Sequence, residues 1–168
     1  MDETPRVGKR ARQKNRLSPA TAATLSAAPA VRDDRRALLM LGAALVVAVF
    51  VVYGQCISHP FLRLDDPDYV LDNEHVNSGI SAANIAWAFT AIHASNWHPL
   101  TWISHMADVE LFGLDAGKHI LMSVAFHALN SLLLLLLLHR ATGEIWRSGA
   151  VAALFALHPL HVESVAWV

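Results

Sequence analysis

Hydrophobic and polar positions divide this chain into a polar amino-terminal stretch, three apolar runs, and a long mixed segment between the first two runs. Residues 1–36, MDETPRVGKRARQKNRLSPATAATLSAAPAVRDDRR, hold too few large apolar side chains to offset the entropy of ordering them, which predicts a disordered tail. Ala37 to Tyr53 (ALLMLGAALVVAVFVVY) is an unbroken run of 17 apolar residues. As a helix it measures about 25 Å, near the lower limit for crossing hydrocarbon, and it predicts a first transmembrane helix. A secretory signal fits less well, because its basic region would be unusually long and no small-x-small cleavage pattern follows Tyr53. His119 to Leu138 (HILMSVAFHALNSLLLLLLL) predicts a second span. A third is expected over 148–168, but its apolar part, GAVAALFAL, covers only nine residues before HPLHVE interrupts it. Roughly 14 Å of helix is too short for a bilayer. Pro159 can break the helix there, freeing backbone carbonyls that then need partners or water.

At 65 residues, the segment 54–118 is longer than a passive connector and is expected to fold. Its first part, HPFLRLDDPDYVLDNEHV, reads as a turn-rich acidic stretch; NIAWAFTAI and PLTWISHMADVELFG read as two short helices. In the second of these, Leu100, Ile103, Ala107, Leu111 and Leu114 recur at helical spacing, while Thr101, His105 and Asp108 form a polar stripe. Such helices suit the membrane interface, with Trp87, Trp97 and Trp102 at headgroup depth.

Composition strengthens the membrane reading. With 54% apolar and 16% charged residues in 168, the chain is too apolar for an ordinary soluble domain. The fold class expected is an all-α integral membrane protein with three transmembrane helices. Its formal charge of -1 hides an uneven distribution. Residues 1–36 carry nine basic against four acidic side chains, a net +5, and residues 54–118 carry two against eight, a net -6. The short connector HRATGEIWRSG adds Arg140 and Arg147. By the positive-inside rule, tail and connector are cytoplasmic and segment 54–118 is extracytoplasmic, in a multi-pass protein of the plasma membrane. No aromatic residues interleave the charges of the tail, which disfavours a nucleic-acid partner. A single cysteine, Cys56, excludes an internal disulfide and leaves the redox compartment unread. The closing residues SVAWV carry no stop signal, so the chain is read as a piece of a longer protein.

Candidate chemistry gathers at two places. Asp65 and Asp66 stand side by side, and Pro67 pushes Asp66 away from helical dihedrals. Two adjacent carboxylates can supply a general base or orient a cation, although an acidic pair in a loop is more often a solvated turn. Calcium fits poorly, since the acidic positions 66, 68, 72 and 74 lack EF-hand spacing and its central glycine. His158, His161 and Glu163 lie where the third run turns polar, and ionisable groups at membrane depth mark functional sites. A metal or haem site there, joined by His127, is one reading, but the pattern is not HExxH. Ser123, His127 and Asn130 share one stripe of the second span, which should face protein and favours interhelical hydrogen bonding.

Taken in order, FLRLDDPDYVLDNEHV, NWHPLTWISHMADVELFGLDAGKHI, FHALNSLLLL and FALHPLHVESVAW form a pattern over roughly 57–168. It resembles the amino-terminal membrane part of bacterial relatives of the transmembrane-and-tetratricopeptide-repeat-containing proteins, which look like protein O-mannosyltransferases of the GT-C type. The resemblance implies transfer of a mannose-like sugar from a polyprenyl-phosphate donor to Ser/Thr of exported proteins at the outer membrane face. It implies a catalytic acidic pair at Asp65 and Asp66, with Asp65 activating the acceptor hydroxyl and Asp66 orienting acceptor or donor. His158, His161 and Glu163 would line the donor cavity or support that pair, with His127 and Asn130 alongside. Where animal relatives commonly carry Arg before the Pro-Leu-Thr triplet, this chain has His98, so a fixed cation for phosphate is lost or supplied elsewhere. The partners implied are the lipid-linked donor, an exported acceptor protein and membrane lipid. No cofactor is implied, a divalent cation having no support at this level. Two rival readings stand beside it: a non-catalytic anchor for a repeat-containing interaction platform, and the haem or metal membrane protein.

Overall fold

The computed structural model describes residues 34–62 and 65–166, which fold as helices and turns with no strand among the described residues. The expected disordered tail lies outside them except for Asp34, Arg35 and Arg36, the last two of which open the first helix. In chain order the helices are α1 (Arg35–Tyr53), a 3-10 turn (Gly54–Ser58), a π-helical turn (Pro67–Leu71), α2 (Glu74–Asn77), α3 (Ala82–Thr90), α4 (Pro99–Phe112), α5 (Ala116–Thr142), α6 (Ile145–Leu157), a second 3-10 turn (Pro159–His161) and α7 (Val162–Ala166). Arg35–Ser58 and Ala116–Thr142 are long and apolar enough to cross a membrane.

Helix α5 outruns the expected 119–138 at both ends because each end is chemically finished. The Asp115 side chain accepts the Lys118 amide at its start, and Gly143, at a φ of 72° that disfavours other residues, turns the chain out at its end. His139 and Arg140 lie in the last turn, where the helix dipole favours cationic side chains.

The third expected span is a bent pair rather than one straight helix. α6 begins at Ile145, ends at Leu157, and meets Pro159–Ala166 at 49°. The cause is the one expected of Pro159: without an amide proton it cannot continue the ladder.

α1, α5 and α6 pack as a bundle around Leu45, Val49, Tyr53, Val124, Ala128, Leu135, Ala152 and Ala156. Small residues set how near the helices come. A Cβ added at Gly149 of α6 would lie 3.0 Å from Leu41 Cδ1 of α1, and one at Gly42 would lie 3.2 Å from Leu132 Cδ2 of α5. Away from these contacts Leu39, Val47, Val51, Leu133 and Leu137 are exposed, an apolar exterior on the two helices long and apolar enough to cross a membrane.

A second cluster forms within 54–118: Val70, Val76, Ala88, Trp102 and Met106, flanked by Phe61, Tyr69 and Trp87. The acidic stretch is therefore folded rather than merely turn-rich, with Val70 and Val76 planted in this core. Both helices expected here are present, but α4 buries a different face from the expected one. Trp102 and Met106 are fully buried and Asp108 nearly so, whereas Leu100 is 74% exposed and Leu111 67% exposed. The helix is apolar on several sides, so periodicity alone did not choose among them; the rings of Tyr69 and Trp87, 4.7 and 5.7 Å from Trp102, did. Trp102 is thus a core residue and not a headgroup anchor, while Trp97 remains exposed.

Candidate functional site

Where α4, the first half of α5, and the broken end of α6 converge, they enclose a cleft of about 920 Å³. Asp65, His98, His127, Asn130, His161 and Glu163 line it, together with Tyr69, Thr101, His105, Asp108 and Ser123. Six of the eight residues singled out from sequence thus meet in one place, contributed by segments far apart in the chain. The remaining two, Asp66 and His158, do not line the cleft.

The acidic pair separates. Asp65 is exposed at the cleft, just ahead of the π-helical turn. Asp66 is 1% exposed, and its Oδ2 accepts the backbone N–H of Leu62 at 2.6 Å. Its carboxylate ties down the turn that presents Asp65, which is what a buried charge with a backbone donor does well.

At the break in α6 the Ala156 carbonyl, freed from its ladder, and the His158 carbonyl, which also accepts the His161 amide at 3.0 Å, find partners on other helices. His127 Nε2 donates to the Ala156 carbonyl at 2.9 Å, and the Tyr53 hydroxyl donates to the His158 carbonyl at 3.3 Å. Since a carbonyl can only accept, His127 carries its proton on Nε2. Its ring also meets Tyr53 edge-on at 5.4 Å and His161 at 5.3 Å. His158 is exposed and turns back on its own strand of chain, its Nδ1 accepting the Leu160 amide at 3.3 Å. His158, His161 and Glu163 thus surround a helix break. Among the described residues they are not the group that reaches metal-ligand spacing.

That group is His105, Asp108 and His119, whose donor atoms all lie within 4.8 Å of one another. His105 and Asp108 sit three apart on α4, so one face of the helix carries both, and both line the cleft. His119 comes from the first turn of α5, across the Gly113 turn, and is 1% exposed. Its Nε2 donates to the Gly113 carbonyl at 2.9 Å, so in the neutral ring the lone pair falls on Nδ1. Burial pushes the His105 imidazole down to about 4, reinforced by His119, so it is neutral at ordinary pH. Burial raises the Asp108 carboxyl above its usual range, with His119 pulling the other way.

In the sequence His105 and Asp108 belong to a polar stripe and His119 heads an apolar run, with nothing in the linear pattern to join them. The available signal was a span that opens on a histidine directly after a helix bearing His-x-x-Asp. Only the reversal at Gly113 turns that proximity in sequence into a cluster.

No family model, curated protein or solved structure matches this chain.

Proposed function

We propose that these helices form the beginning of a glycosyl-transfer site in a multi-pass protein of the bacterial plasma membrane, amino terminus in the cytoplasm. The donor is a mannose-like sugar on polyprenyl phosphate and the acceptor a Ser or Thr hydroxyl of an exported protein. The observation that carries the reading is the cleft itself, in which an exposed carboxylate, Asp65, faces a polar wall at the end of two apolar spans. A lipid-linked substrate needs that arrangement: hydrocarbon contact for the carrier and a wet, polar mouth for the reacting groups.

Asp65 takes the acceptor proton as the hydroxyl oxygen bonds to the sugar's anomeric carbon, while the bond from that carbon to the phosphate oxygen breaks and polyprenyl phosphate leaves. His98 and His161 stand in the same cleft as donors for the phosphate oxygens, and Asn130 and Glu163 can hold sugar hydroxyls. Asp66 acts at one remove, by anchoring the turn.

The test is Asp65→Asn in cells, with glycosylation of exported proteins measured against the amount of folded transferase. Loss of about 100-fold or more in sugar transfer at normal protein level supports the reading. Unchanged transfer at normal protein level overturns it, and leaves a membrane anchor as the function of these helices.

A further inference from the structure

We propose that His105, Asp108 and His119 bind a divalent first-row transition metal of the zinc class, with a coordination position left open toward the cleft. The inference is independent of the transferase reading, since it rests on the cluster alone and is tested by metal binding rather than by sugar transfer.

Three observations carry it. The donor atoms of two imidazoles and one carboxylate lie within 4.8 Å of one another. Nδ1 of His105 and Nδ1 of His119 are both buried and have no hydrogen-bond partner among the described residues. Two such nitrogens in one cluster are costly unless something occupies the space between them, because a buried polar atom without a partner keeps its full desolvation penalty. Their rings are nearly parallel, 17° apart with centroids at 6.2 Å, so neither is posed to donate to the other. Finally, the His119 Nε2–H to Gly113 carbonyl bond orients the ring and fixes the tautomer that coordinates through Nδ1, an arrangement that recurs behind metal-bound histidines.

The donor set selects the ion. Two imidazoles with one carboxylate suit zinc and its neighbours, whereas magnesium and calcium take oxygen shells. Three protein ligands leave a fourth position for water or substrate. Tetrahedral zinc holds its donors about 3.3 Å apart, so donors up to 4.8 Å apart must close by up to about 1.5 Å on binding. Since α4 supplies two ligands and α5 the third, the ion also pins the 54–118 segment to the second span.

The test uses the purified full chain in detergent, stripped by chelator and free of any affinity tag. Titration with Co2+ should give one equivalent with the visible absorption of a tetrahedral site, displaced by Zn2+. Asp108→Asn and His119→Gln should each weaken binding by about 100-fold or more, while His139→Gln, in the last turn of α5 and about 30 Å along that helix from His119, leaves it unchanged. His105→Gln serves as the third ligand variant should His119→Gln fail to fold. Absence of a tetrahedral Co2+ spectrum in the folded wild-type chain overturns the proposal. Equal affinity in wild type and folded ligand variants overturns it as well.

Discussion

His127 and Ala156 are joined by a hydrogen bond of 2.9 Å that spans two helices: the imidazole of α5 supplies the donor that the broken end of α6 lost. Pro159 breaks the ladder, so the Leu160 amide that would have reached Ala156 goes to His158 Nδ1 instead, and the His127 side chain takes its place. His127→Leu is expected to destabilise the protein by about 1 kcal/mol, and Tyr53→Phe, which leaves the His158 carbonyl with only the His161 amide as donor, by a smaller amount. Thermal unfolding of the two single variants and the double variant in detergent checks both. A double variant as stable as wild type would mean that water serves these carbonyls equally well.

Asp65 and Asp66 should respond oppositely to substitution. Asp66→Ala removes a buried carboxylate that accepts the Leu62 amide, and about 2–3 kcal/mol of stability should go with it. Asp65→Ala, at an exposed position, should leave stability within about 0.5 kcal/mol of wild type. Equilibrium denaturation separates the two, and the reverse order would contradict the roles given to the pair.

Two glycines differ in what a methyl group would strike. At Gly117 it would run into the backbone carbonyl of Ile57, which cannot yield without moving the 3-10 turn after α1. At Gly149 it would meet only the Leu41 side chain, at 3.0 Å. Gly117→Ala is expected to cost more than about 2 kcal/mol and Gly149→Ala less than about 1 kcal/mol. Gly54→Ala, with open space around it, provides the comparison in the same melting series.

The charge asymmetry makes an orientation testable. Ser95 is exposed in the segment 54–118, so Ser95→Cys in a Cys56→Ser background places a single thiol there. A membrane-impermeant maleimide added to intact cells should label it, in keeping with a net +5 over residues 1–36 held inside. Labelling only after the membrane is opened would invert the topology.

Length and hydropathy were enough to mark α1 and α5, because a run of apolar residues that must satisfy its own backbone has little choice but a helix. Pro159 announced the break in α6 for an equally local reason, and helical spacing put Ser123, His127 and Asn130 on one stripe that does line the cleft. Local pattern was weaker on α4. Its apolar residues occupy several sides, so the choice of Trp102 and Met106 over Leu100 and Leu111 fell to partners brought from Tyr69 and Trp87.

Adjacency in the chain also said nothing about how Asp65 and Asp66 would part, since one backbone amide, that of Leu62, captures one carboxylate and leaves the other at the surface. The pairing of His119 with His105 and Asp108 is the clearest case of a property with no linear signature. It depends on the angle at which two helices leave the Gly113 turn, and on a carbonyl there that turns one imidazole nitrogen toward its neighbours. Backbone hydrogen bonding and hydrophobicity act over a few residues and can be read along a line. The direction of a side chain is settled by whatever packs against it, and that becomes known only once distant segments have met.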